Sequence, residues 1–160
     1  MREPTFERAL ASYVLGFLAS DDLPLVAARA LEAGMSSRSL GMLAGELAST
    51  HPADLRALFE AAVAELGILL PSRVELATSL KRAFAADYCA GIMDPEDAAR
   101  AILDLHDAIR NEVPTGRLAC EDFDVVELVG AYWSLDDEYS REPALRTLDS
   151  ELRRIAGETD

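Results

Sequence analysis

Two histidines, two cysteines and a run of acids set among aromatic rings are the residues of this 160-residue chain whose types can do chemistry. His106 lies in Asp104-Leu105-His106-Asp107, where a histidine beside carboxylates suggests a metal ligand or a general base. Helical spacing weakens both uses. Ligands on converging helices stand three or four residues apart and usually include a second histidine, whereas Asp104 is two residues from His106 and Asp107 one. Leu103 and Arg110 share its face instead, so an ordinary histidine is expected at the edge of the stripe Ala98, Ile102, Leu105 and Ile109. His51 precedes Pro52 at a helix start and is expected to be exposed, with no positioned partner for base chemistry. Cys89 and Cys120 lack C-x-x-C spacing and are expected as reduced, buried thiols. No G-x-S-x-G, P-loop or G-x-G-x-x-G occurs. On these grounds no catalytic residue, metal ligand or cofactor is assigned, and a non-enzyme is expected. A metal protein or enzyme centred on His106 is the weakest of three readings.

The remaining chemistry is recognition. Between Glu121 and Glu142 the chain sets Glu121, Asp122, Asp124, Glu127, Asp136, Asp137, Glu138 and Glu142 around Phe123, Tyr132, Trp133 and Tyr139, with Arg141 the one basic residue. Acids speed the encounter with a basic partner, and rings supply contact area at low entropy cost. The leading expectation is therefore an acidic protein–protein interaction module for a basic protein partner. Its concrete form is an immunity- or antitoxin-type inhibitor that covers the cationic surface of a toxin. The expected partner-binding residues are Asp124, Glu127, Tyr132, Asp136, Asp137, Glu138 and Tyr139. The alternative is a helical scaffold or regulatory subunit that self-associates as a homodimer through the same rings.

On a helix from 122 to about 139, Val125, Val126, Val129 and Trp133 form one apolar row and Leu128, Tyr132, Leu135 and Tyr139 a second. The two rows cover about 180° of arc, wider than the ~100° that packs a helix on one core. Asp124, Glu127, Ala131, Ser134 and Glu138 are left for the wet side. Trp133 is expected in the core whatever the function, while Tyr132 and Tyr139 are exposed only if the segment docks a partner. Asp136 would point into the apolar arc, so the helix is expected to break there and leave Asp136, Asp137 and Glu138 in a turn.

The elements that must position these residues are helical. Phe6, Leu10, Tyr13, Val14, Phe17 and Leu18 repeat with helical period, as do Leu55, Leu58, Phe59, Ala62, Val63 and Leu66. Punctuation predicts the boundaries. Pro24 opens a helix that Gly34 ends, and Ser36 or Ser37 caps one running to about Ser49. His51-Pro52 opens a helix closed by Gly67, and Pro71-Ser72 one reaching about Gly91. Asp94-Pro95 starts a helix to about Asn111, another covers about 122–135, and Pro143 opens the last. Gly41 and Gly45 are expected to let two helices pack closely. The fold class is all-α, about eight helices in one domain over 1–160, with a short α-solenoid as the alternative. Pro24–Leu31 and Pro95–Ile102 share P-x-x-A-A-R-A-[LI], which chance use of strong helix formers explains better than a repeat.

Charge bounds the partners. The net charge is −14, with 10 acidic and 6 basic residues in 1–80 against 19 and 9 in 81–160. That balance excludes a backbone-tracking nucleic-acid binder and disfavours an anionic membrane surface. The run Ala9–Ala19 is too short to span a bilayer and the N-terminus is no signal region, so a cytoplasmic location is expected.

The pieces Leu58-Phe59-Glu60, Glu65-Leu66-Gly67, Leu70-Pro71-Ser72-Arg73, Cys89-Ala90-Gly91-Ile92-Met93-Asp94-Pro95 and Ala98-Ala99-Arg100 carry a resemblance. Over about residues 20–110 the chain resembles small, uncharacterised all-helical hypothetical proteins of GC-rich bacteria. The resemblance implies an α-helical fold, and neither an activity nor a site residue.

Overall fold

The computed structural model describes residues 5–47, 49–112 and 123–157. The fold is all-α, with eight α-helices and no strand among the described residues. They run α1 Phe6–Leu15, α2 Leu23–Glu32, α3 Arg38–Ala44, α4 Pro52–Glu65, α5 Arg73–Cys89, α6 Pro95–Ile109, α7 Val126–Trp133 and α8 Arg141–Ala156. Short 3-10 turns at Ser20–Asp22 and Ser134–Asp136 precede α2 and follow α7. Among the described residues the chain gathers into two compact units that divide between Pro71 and Ser72. The sequence alone marks no boundary at Pro71-Ser72.

Capping chemistry explains most of the boundaries. Thr5, Ser37 and Asp94 each accept a hydrogen bond from the backbone N–H three residues on. Ser72 goes further: its hydroxyl receives the Glu75 N–H while the Glu75 carboxylate receives the Ser72 N–H. Each such cap stabilises its helix by about 1 kcal/mol by satisfying an orphan donor. At the far ends, Gly16 and Gly157 adopt φ +87, the left-handed turn in which glycine has no Cβ to clash. The predicted helix to Ser49 is shorter than expected. It stops at Ala44, where the Gly45 N–H already turns back onto Leu43 and Met42.

The N-terminal unit is built on Phe59, fully buried, with the Phe6 ring 5.7 Å and the Tyr13 ring 4.8 Å from it. Leu23, Leu40, Leu43 and Leu55 complete that core with no exposed surface. The Glu65 carboxylate accepts from both the backbone N–H and the hydroxyl of Ser39, tying α4 to the start of α3. Phe17, expected on the α1 stripe, lies beyond the left-handed Gly16 and is exposed. Gly41 and Gly45 are both exposed with no helix against them. The expected close packing there is not found.

In the C-terminal unit α5 packs against α6 and α8, and α7 against α6 and α8. Leu80, Ile102, Leu105, Ile109, Leu128, Leu148 and Leu152 are the large side chains of its core. Lys81, the only lysine of the chain, is buried among them.

Candidate functional site

The segment from Phe123 to Arg141 is held by its ends. Phe123 is buried, and its carbonyl accepts a hydrogen bond from Lys81 Nζ, which also lies 4.4 Å from the centre of the Phe123 ring. Asp124 follows at φ +56, a left-handed conformation uncommon for any residue but glycine. Its carboxylate takes Arg154 Nη1 at 2.6 Å and its backbone oxygen takes Arg154 Nη2 at 3.2 Å. The guanidinium holds the Asp124 carboxyl below the usual range. Burial lowers the Lys81 ammonium from its ordinary value, with the Asp124 charge opposing. Two cations on two different helices thus fix the turn that leads into α7.

Helix α7 has eight residues and one inward side. Leu128 and Ala131 are buried, Val129 and Tyr132 half-buried, and Val126, Glu127, Gly130 and Trp133 exposed. At the inner edge, Arg100 Nε of α6 donates to the Tyr132 hydroxyl at 3.1 Å. The Tyr132 and Trp133 rings meet edge to face with centres 5.7 Å apart. The helix ends at Trp133 and tightens into the 3-10 turn, where Leu135 turns inward and Asp136 outward. Asp137 then orders the next turn, its carboxylate accepting from the Tyr139 N–H and the Ser140 hydroxyl. Arg141 donates to the Leu135 carbonyl and pairs with Glu96 of α6 at 2.5 Å. The segment's one cation is therefore spent inside the fold.

The sequence-predicted residues fall into three groups. Asp136, Asp137, Glu138 and Tyr139 are exposed together in the turn expected from the break at Asp136. Glu127 is exposed on α7, and Tyr132 is half-buried under Arg100. Asp124 stands apart, with its charge matched by Arg154. The expectation for Trp133 fails: the indole is 68% exposed and Tyr139 94%. Ala131, assigned to the wet side, is instead 6% exposed. The expected helix is too long, and its inner side is rotated from the observed one by about a quarter of a turn or less, with Leu128 inward in both. Gly130 was the overlooked signal, since a row containing glycine between Val126 and Trp133 has no bulk with which to fill a core.

His51 is exposed at the N-cap of α4, where its Nδ1 accepts from the Ala53 N–H at 3.3 Å. His106 is mostly buried, with Nδ1 3.3 Å from Asp107 and its ring centre 6.5 Å from that of Phe123. Its Nε2 is buried and has no hydrogen-bond partner among the described residues. No group of three His, Cys, Asp or Glu side chains able to hold a metal occurs among the described residues. Cys89 is half-buried, whereas Cys120, Glu121 and Asp122 lie outside the described residues. No described helix is long and apolar enough to cross a membrane. Comparison with protein-family models, curated proteins and solved structures gives no match.

Proposed function

We propose that this protein is an acidic interaction module that binds a basic protein partner through the segment from Val126 to Tyr139. The observation that carries the reading is the exposure of Trp133 and Tyr139 beside Asp136, Asp137 and Glu138. Trp133 touches Tyr132 by one edge and still leaves most of its surface in water, and indole and phenol rings are the usual anchors of interfaces. The acids around them favour a cationic partner and steer its approach. In its concrete form the protein is a cytoplasmic inhibitor of the immunity or antitoxin type, masking a basic surface by which a toxin would grip its own target.

The test is affinity capture on the full chain at low salt, with elution by rising salt. A stoichiometric basic protein that elutes with salt, and that Tyr139→Ala and Asp137→Ala baits retain less well, supports the reading. A bait that captures no stoichiometric basic protein, or captures it equally after both substitutions, contradicts it. A concentration-dependent dimer in sedimentation, with no foreign partner, would assign the surface to a self-associating scaffold.

A further inference from the structure

Val126, Gly130 and Trp133 lie within about 60° of arc at 3.6 residues per turn, and all three are exposed. Glycine costs helix stability, and here the cost has no return among the described residues. Gly130 lies inside α7, and a Cβ added to it would meet nothing within 4 Å among the described residues. No left-handed backbone and no crowded neighbour requires it. Gly41 of α3 is equally open, but Ser37, Arg38, Ala44 and Gly45 are its neighbours on that face. No large apolar side chain there could hold a partner. Gly130 is different, because Val126 four residues before it and Trp133 three after it are both large, apolar and exposed.

We infer that Gly130 is the floor of a notch on α7 that receives a basic amphipathic helix of the partner, with Val126 and Trp133 as its walls. Seven residues at 1.5 Å rise set the backbones of the two wall residues about 10 Å apart along the axis, which leaves room between their side chains for one side-chain ridge of a crossing helix. A missing Cβ lets the two backbones approach to the short end of the helix–helix range. Charge selects the occupant. Glu127 borders the notch on α7, Asp136, Asp137 and Glu138 follow its C-terminal end, and the helix dipole adds negative charge there. A second copy of this chain would bring the same acids onto these, and like charges at an interface are repulsive. A helix with an apolar stripe and lysine or arginine on its flanks meets no such barrier. This inference rests on the basic-partner reading and adds the partner's secondary structure and the point of closest approach.

The experiment titrates the full chain with a synthetic helical peptide carrying a Leu/Ala stripe and Lys/Arg flanks. A peptide of the same composition, broken by prolines, serves as the control. Emission from Trp133, the one tryptophan, reports contact directly. The expected result is a saturable blue shift with the helical peptide and a much weaker response to the broken one. Gly130→Ala should raise the urea midpoint and yet weaken peptide binding roughly tenfold or more, the scale on which an added methyl is felt in a packed contact. Gain in stability with loss of binding separates a docking role from a merely structural one. Equal binding by wild type and Gly130→Ala would overturn the notch alone, leaving the basic-partner reading intact. Equal binding of both peptides would overturn the helical partner. If neither basic peptide moved Trp133 emission, the notch and the basic-partner reading would fall together. A wild-type dimer dissolved by Gly130→Ala would give the notch to a second copy and overturn the basic occupant.

Discussion

Arg154 of α8 grips Asp124 twice, through the carboxylate at 2.6 Å and through the backbone oxygen at 3.2 Å. The double contact holds Asp124 at φ +56, a conformation that costs an ordinary L-residue about 1–2 kcal/mol. Asp124→Ala should lose the pair and keep the strain, whereas Asp124→Gly loses the pair and relieves the strain. Urea unfolding should therefore find the glycine variant more stable than the alanine one by about 1 kcal/mol. Equal stabilities would show that the turn relaxes once Arg154 lets go.

Acid should unfold the protein through specific carboxylates. The Arg154 guanidinium holds Asp124 below the usual range, the Tyr88 hydroxyl does so for Asp149, and capping bonds do so for Asp94 and Glu75. Hydrogen bonds from Ser39 lower Glu65. A carboxylate depressed in the folded state binds its proton more tightly when unfolded. The stability it contributes is complete above the unfolded value, about 4, and is lost as pH falls through the folded value. Urea midpoints should change little between pH 7 and 5 and drop steeply below about 4. A midpoint unchanged at pH 3 would mean these bonds contribute nothing net.

Lys81 offers a chemical readout. Its ammonium is buried against the Phe123 ring and carbonyl, and burial lowers its proton affinity. The unfolded chain then binds that proton more tightly, so this group's contribution to stability rises with pH in the alkaline range. An amine-reactive reagent should leave the Lys81 peptide unmodified in native protein and label it fully in urea, as read by mass spectrometry. Rapid labelling of Lys81 under native conditions would contradict its burial.

In the N-terminal unit, Phe59→Ala should cost about 3–5 kcal/mol, because its ring is fully buried and both Phe6 and Tyr13 would face the void. Tyr13→Phe should cost far less. Its hydroxyl donates to Glu60 at an exposed position, a bond worth about 1 kcal/mol. Partial burial and the Glu60 carboxylate push the Tyr13 hydroxyl up to about 12, and the bond to Asp149 raises Tyr88, so ultraviolet titration should show Tyr13→Phe with one high-pH tyrosine fewer than wild type.

Where the fold was legible in the sequence, local chemistry explains why. Ser37, Ser72 and Asp94 cap helices where the punctuation predicts, and each cap is decided by bonds within a few residues. The break at Asp136 was visible for the same reason, since one acid against an apolar row cannot be packed. The inner side of α7 was not. Trp133 and Ala131 differ so much in apolar area that hydrophobicity alone assigns them the wrong way round. Packing of α7 against α6 and α8, separate elements that no spacing within α7 reveals, decides that Leu128 and Ala131 go in. Burial of Lys81 was hidden likewise, because it depends on a carbonyl supplied 42 residues later.

The central claim is that Trp133 and the acids after it are a docking surface, and Trp133 fluorescence in the presence of the captured basic partner tests it most directly. Alone, the indole should emit as a water-exposed ring and be freely quenched by acrylamide. With saturating partner at low salt it should shift to the blue and become shielded, and added salt should reverse both changes. An indole that stays as red and as quenchable in the saturated complex would place the interface elsewhere and leave the segment as a solvated face.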